Sequence, residues 1–372
     1  MKALRKTRAE AGLELVEVAR PRPRTGEVLV QVRATGICGS DLHVDDWTPS
    51  YAFMADSLPV TIGHEFVGVA QSGKLAGRRV VVRPSVTCGR CAACSAGDHN
   101  GCERRRGIGM TRDGAFASWV GVPERNCVPV PDGVGDVLAA LTEPLTISLQ
   151  ALRIAGDVAG KRVLIMGPGT IGQGIAVLAR RAGAREIVIS GRADPARFDA
   201  LRQMGFAALV DVAGQPLAAA VAAIAPAAAR AAGAAGAAGA AGATAAATGG
   251  EDAGPHEPRF DVVFEATGVP ETINDALPLL RRNGVVVVTG IHARPLTLDL
   301  TRMVRQQQQL RGSFRPLESA WPEVLAILAE IGDRVRPMVS HVLPLSAAAD
   351  GFALAHRKIA SKVLLCPEAT DG

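Results

Sequence analysis

The stretch TCGRCAACSAGDHNGC places four thiols, Cys88, Cys91, Cys94 and Cys102, in a C-x2-C-x2-C-x7-C pattern. Thiolates are soft donors, and four of them at this spacing suit one tetrahedral zinc ion. Unliganded in a glycine-rich loop they would oxidise readily and fill no core. A closed shell of four sulfurs offers substrate no coordination position, so this ion would stabilise a lobe at about 86–104 and do no chemistry. A second set of donors differs in kind. Cys38, in CGSDLH, and His64, in GHE, pair a thiolate with an imidazole, as a catalytic zinc prefers. Glu65 and Glu143, the latter in LTEPLT, are two candidate carboxylate ligands, and spacing does not choose between them.

A third constellation is GPGTIG, with glycines at 167, 169 and 172 around Thr170 and Ile171. It directly follows the apolar run KRVLIMG and opens the helical pattern TIGQGIAVLARRAGA, the context that makes this motif specific for a dinucleotide. Gly167 permits the tight turn, Gly169 lets a diphosphate approach the backbone, and Gly172 allows close helix–strand packing. At the end of the next strand, where NAD enzymes of this fold usually carry an acid, the chain reads Ser190, Gly191, Arg192. A small residue followed by arginine can hold a 2′-phosphate by charge-assisted hydrogen bonds, which favours NADP over NAD. Arg197 is a second cation within reach of the adenosine end.

The elements that must position these residues fall into two patterns. Residues 1–150 read as short strands and turns, among them EVLVQVRATGI, VTIGHEFVGVA, RRVVVRPSV and GAFASWVGVP. From about 160, strands alternate with helices: KRVLIMG, REIVIS, AALVDV, RFDVVFEATG and GVVVVTG, with helices in between that include ETINDALPLLRRNG. Such alternation is the mark of a parallel, doubly wound sheet. The tail adds a strand-like QQLRGSF, an amphipathic helix in SAWPEVLAILAEIG, then MVSHVLPL and SKVLLC. Gln306 to Gln309 are expected to end a helix. An Ala/Gly-rich insertion at about 226–258 separates the third strand from RFDVVFEATG and is expected to be exposed.

At 372 residues the chain has room for about two domains. The N-terminus MKALRKTRAEAGLELVEV has charges throughout and is not a secretory signal, and no strongly apolar run reaches the length of a membrane span. Seven cysteines without such a signal argue against a disulfide framework. These features point to a soluble, cytoplasmic protein without a membrane partner. The net charge of +5 comes mostly from scattered arginines. The tight cluster Arg104, Arg105 and Arg106 reads as solvated surface, so no nucleic-acid partner is expected.

Taken together, GICGSDLH, GHEFVG, the four-cysteine lobe, GPGTIG, FEATG and GSFR resemble the zinc-dependent medium-chain alcohol dehydrogenases over nearly the whole chain. The resemblance implies an α/β chain with a GroES-like, β-rich catalytic domain (1–152), a doubly wound Rossmann domain (153–290), and a C-terminal part (291–372) that completes the Rossmann sheet and returns to the catalytic domain. It implies two zinc ions per chain, one catalytic and one structural, and a homo-oligomer, a tetramer or dimer. Further cofactor contacts are expected at Thr267, Gly290, Ile291 and Phe314. Glu143-Pro144, where simple ethanol-type enzymes usually have cysteine, is similar to sorbitol (polyol) dehydrogenases. So is SFRPLESAWPEVLAIL, in which Arg315 would lie near substrate and nicotinamide. MKALRKT and Trp47 resemble L-threonine 3-dehydrogenase instead. The implied reaction is reversible oxidation of a secondary alcohol. Ser40 would take the hydroxyl proton and pass it toward His43, and Asp41 would tune the metal site.

Overall fold

A computed structural model of the chain describes residues 1–224, 259–292 and 294–367; the Ala/Gly-rich insertion expected at about 226–258 lies outside them. The described residues cluster into two compact units. One comprises Met1–Gln150, Pro195–Gly205 and Phe314–Gly372, and the other Ala151–Asp194 and Phe206–Ser313.

In the first unit the apolar alternation of EVLVQVRATG builds the strand Glu27–Gly36, the centre of a seven-stranded sheet. Along this sheet run Cys127–Pro129, Arg79–Val82, Glu65–Ala70, Glu27–Gly36, Lys362–Cys366 and Val339–Pro344, with Trp119–Pro123 also pairing Glu27–Gly36. Gly36 is therefore flanked on one side by Glu65 and on the other by Leu364. The end of the chain thus reaches the elements that carry the first sequence motifs. Buried Val28, Val30, Val32, Phe66, Val80, Val82 and Val120 form one core of this unit. The helix Gly39–Asp45 follows the central strand, and a small two-stranded hairpin, Ser85–Val86 with Arg106–Gly107, closes the base of the four-cysteine lobe.

The second unit contains a six-stranded, all-parallel sheet in the order Leu209–Asp211, Glu186–Gly191, Arg162–Met166, Phe260–Glu265, Leu280–Val288, Gln309–Gly312. The strand order reverses beside Arg162–Met166, the topological switch point at which doubly wound sheets bind ligands. The architecture expected from sequence, a GroES-like β-rich domain with a Rossmann-type domain, is present.

One local expectation is corrected and a second is refined. ETINDALPLLRRNG is not one helix: the helix Glu271–Ala276 passes into a 3-10 turn at Leu277–Leu279, and the strand begins at Leu280. Pro278 offers no N–H to continue the helix, and Leu280 pairs with Phe260 of the neighbouring strand. The four glutamines also divide their roles. The helix Leu300–Arg305 ends at Gln306, Gln307 turns with φ of 51°, and Gln309 opens the edge strand. The buried Gln308 amide donates to the carbonyls of Leu277 (3.1 Å) and Leu280 (2.9 Å). Among the described residues no helix is long and apolar enough to cross a membrane.

Candidate active site

Cys38 sits immediately before the helix Gly39–Asp45, and three residues on, Asp41 turns its side chain back so that Oδ2 accepts the Cys38 N–H at 2.9 Å. The same carboxylate, fully buried, places Oδ1 3.5 Å from His64 Nδ1. One acid therefore holds the backbone at Cys38 and stands beside the imidazole of His64. Gly63 makes the turn that delivers His64: its φ is 94°, and a Cβ there would press on the Phe116 ring at 2.6 Å. Glu65 follows as the first residue of its strand and is 1% exposed. One donor atom from each of Cys38, His64 and Glu65 lies within 4.8 Å of the others, a geometry that can hold an ion.

The electrostatics of this cluster favour a cation. Burial, reinforced by the Glu65 charge, raises the Cys38 thiol. Burial, then Glu65, pushes the Glu143 carboxyl up to about 7. Burial alone would lower His64, yet Asp41 and then Cys38 outweigh it and hold the ring well above its usual value. Acidic groups crowded out of water destabilise one another, and a bound dication relieves that repulsion. The residues present fit a zinc ion. Glu143 is half-buried and senses Glu65 but lies outside the three-donor cluster.

Lys362 was not foreseen from sequence. Its Nζ forms an ion pair with Glu65 Oε2 and donates to the Ile37 carbonyl at 2.9 Å, and it is 3% exposed. Tyr51 was missed as well. Its ring stacks on His43 with centroids 5.7 Å apart, and its hydroxyl lies near the Ser40 side chain. His43 Nδ1 also lies 3.5 Å from the Thr48 hydroxyl. Tyr51 thus stands beside both Ser40 and His43. The buried Lys6 ammonium fixes the end of this helix by donating to the carbonyls of Asp45 (3.1 Å) and Gly12 (3.0 Å).

In the second cluster the donor atoms of Cys88, Cys91, Cys94 and Cys102 also lie within 4.8 Å of one another. Backbone amides aim at the sulfurs. The N–H of Arg90 is the main cause that lowers Cys88 to about 6, and those of Cys94 and Glu103 lower Cys91. Burial raises Cys94 to about 11. The Cys88 N–H lies 3.3 Å from Cys102 Sγ. Backbone donors directed at thiolates are what a metal-thiolate site requires. Arg315 adopts φ of 49° and is half-buried, its carbonyl accepting from Asn100 Nδ2 at 3.2 Å. Burial and then the nearby Arg105 lower its guanidinium.

In the parallel-sheet unit, Gly167 has φ of 106°, and a Cβ there would meet the Ala266 carbonyl at 2.8 Å. A Cβ on Gly172 would collide with the Gly167 carbonyl oxygen, whereas Gly169 has nothing within 4 Å of its Cβ position. Thr170 and Ile171 begin the helix Thr170–Arg181. Gly191 is buried at its strand end, Arg192 is exposed and Arg197 half-buried. The fully buried Glu265 organises the opposite rim: Oε1 accepts the N–H groups of Thr267 (2.6 Å) and Gly268 (2.9 Å), and Oε2 lies 2.9 Å from His292 Nε2. Gly290 packs on Gly268, too close for any side chain, and Ile291 and Phe314 are exposed. The signal for Glu265 was in the sequence, as an acid inside the apolar run FDVVFEATG.

Comparison with known proteins agrees with both units. Residues 24–132 match the alcohol dehydrogenase GroES-like domain and residues 170–330 the zinc-binding dehydrogenase domain. The chain belongs to the zinc-dependent medium-chain alcohol dehydrogenase family. Its relatives include L-threonine 3-dehydrogenase of Rhizobium etli, 29% identical over 372 residues and 98% of each chain. Among solved structures of this family, L-idonate 5-dehydrogenase from Escherichia coli is 27% identical with a TM-score of 0.79, covering 98% of this chain and 97% of that one. A zinc-binding dehydrogenase from Sinorhizobium meliloti, bound to NADP, is 29% identical with a TM-score of 0.77, covering 98% and 99%. As a member of this family, the protein is a dehydrogenase.

Proposed function

We propose that the chain oxidises a secondary alcohol of a polyhydroxylated substrate reversibly to the ketone, with NADP preferred over NAD. The observation that carries this reading is the buried convergence of Cys38, His64 and Glu65, with the carboxyl of Glu143 close enough to interact with Glu65. Cys38 and His64, with a carboxylate from Glu65 or Glu143, hold the ion. A zinc ion bound there supplies Lewis acidity, making an alcohol hydroxyl acidic near neutral pH. The oxidised nicotinamide supplies the acceptor for the hydride from the carbinol carbon. The chain's own residues manage the proton. Ser40 accepts it from the hydroxyl and passes it on toward His43, whose ring is packed by Tyr51 and whose Nδ1 lies 3.5 Å from the Thr48 hydroxyl. Asp41 holds the Cys38 backbone and keeps its negative charge beside the imidazole throughout.

Gly167, Gly169, Thr170, Ile171 and Gly172 cradle the diphosphate. Thr267, held by Glu265, and Gly290, Ile291 and Phe314 contribute further contacts. Exposed Arg192, with Gly191 before it and Arg197 beyond, supports a 2′-phosphate. Cys88, Cys91, Cys94 and Cys102 hold a structural zinc, and Arg315 binds substrate hydroxyls. The protein works as a cytoplasmic homo-oligomer, as the family resemblance implies.

Glu143-Pro144 and Arg315 favour polyols. A second reading, oxidation of L-threonine at its secondary hydroxyl, is favoured by relatives from Rhizobium, Sinorhizobium and Legionella that carry the name L-threonine 3-dehydrogenase. Initial rates of nicotinamide reduction over polyols, polyhydroxy acids, diols, simple secondary alcohols and L-threonine, each with NADP and NAD, separate the two. The highest rate is expected on a polyol with NADP. A threonine rate that exceeds every polyol selects the second reading, and silence across the panel with zinc bound overturns both.

A further inference from the structure

The C-terminal strand Lys362–Cys366 places one lysine among the acidic donors of the metal cluster. It pairs antiparallel with Glu27–Gly36, and the Ile37 N–H donates to the Val363 carbonyl at 3.0 Å. The Lys362 side chain then passes across Gly36. A Cβ on Gly36 would collide with Glu65 Oε2 and stand 3.0 Å from Lys362 Cε, so the missing side chain opens the path by which Lys362 reaches Glu65. The ammonium pairs with Glu65 Oε2 and donates to the carbonyl of Ile37, the residue directly before Cys38. It also interacts with Cys38 and Glu143. Lysine and glutamate are 3% and 1% exposed. Desolvating two charges costs several kcal/mol each in general, and a fold retains such a pair where the charges have a task.

We propose that Lys362 is a positioning residue for the metal centre: it tethers Glu65 through Oε2 and offsets its charge, so that the catalytic zinc is held less tightly than the acidic donors alone would hold it. The inference rests on the reading that Cys38, His64 and a carboxylate bind zinc. It gives the two residues opposite effects. Removing Lys362 leaves Glu65 as an uncompensated anion beside the ion, and removing the Glu65 charge leaves an uncompensated cation there.

The test is zinc release from the purified, zinc-loaded full chain to a chromophoric chelator, with no alcohol or nicotinamide present. Cys38→Ser assigns the release phase that belongs to this cluster. Lys362→Met is expected to release that zinc about ten-fold more slowly than the parent, and Glu65→Gln about ten-fold faster. Lys362→Arg, which keeps the charge, is expected to stay near the parent rate. The double variant Glu65→Gln/Lys362→Met removes both charges and is expected to return toward the parent. If Lys362→Met does not fold, the double variant compared with Glu65→Gln reads the same effect, slower release being the expected result. Release by Lys362→Met as fast as the parent or faster, or a double variant no slower than Glu65→Gln, overturns the proposal. A chain lacking any Cys38-dependent phase overturns it together with the zinc reading. Since no substrate is used, inactivity on alcohols does not bear on the result.

Discussion

Tyr51 shows what a single residue adds to the site. The family resemblance points to Ser40 and His43, both on the helix that begins after Cys38, as a relay. The structure sets a phenol, the chain's only tyrosine, beside both. Nothing in PSYAFMADS announces this, since a 3-10 segment has no periodic face to read. Tyr51→Phe keeps the ring that stacks on His43 and removes the hydroxyl near Ser40. Turnover is expected to fall by about ten- to a hundred-fold with melting temperature nearly unchanged, as loss of a proton-transfer group would produce. Steady-state rates and a thermal melt check this together. Full turnover in Tyr51→Phe would remove the phenol from the path. The convergence of Cys38 with His64 was legible, because thiol and imidazole are rare and diagnostic. Lys362 was not, because a lysine more than three hundred residues from Cys38 in sequence has no local pattern that marks it as buried.

At the scale of elements, periodicity carried most of the reading. The strands of both sheets and the helix after the glycine loop stand where apolar alternation and Gly or Pro punctuation put them. Errors arose where a tertiary contact overruled local preference, as at Leu280, whose pairing with Phe260 begins a strand inside a helix-like sequence. The glycine loop gives the sharpest test of an element, because its glycines serve different needs. Gly172→Ala would drive a methyl group into the Gly167 carbonyl, and is expected to cost about 3 kcal/mol of stability, with a lower melting temperature. Gly169→Ala meets no atom of the protein, its φ of −68° suits any residue, and stability is expected to hold. The added methyl instead occupies the approach of the diphosphate, so the KM for the nicotinamide cofactor is expected to rise about ten-fold or more. If Gly169→Ala binds cofactor as the parent does, the diphosphate does not approach at this point of the loop.

For the whole molecule, the two compact units divide the ligands between them. Both clusters of potential metal donors belong to the unit containing Met1–Gln150, and the glycine loop belongs to the unit containing Ala151–Asp194. Composition and the change of pattern near residue 160 made two domains legible. The return of the C-terminal strands to the first unit was expected only through the family resemblance, since strand pairing over such separations leaves no trace in local sequence. Units with separate cores can unfold separately, and a ligand stabilises only the unit that binds it. Scanning calorimetry is therefore expected to resolve two components. A zinc chelator should lower the first and leave the second in place. NADP at about a hundred times its Kd should stabilise the second by about 2.7 kcal/mol, with the first unmoved. A single transition that shifts with both ligands would mean that the two cores unfold as one cooperative unit. Substituting Cys94→Ser should then reproduce the chelator effect in part, because it opens the four-sulfur shell and leaves the Cys38 cluster intact.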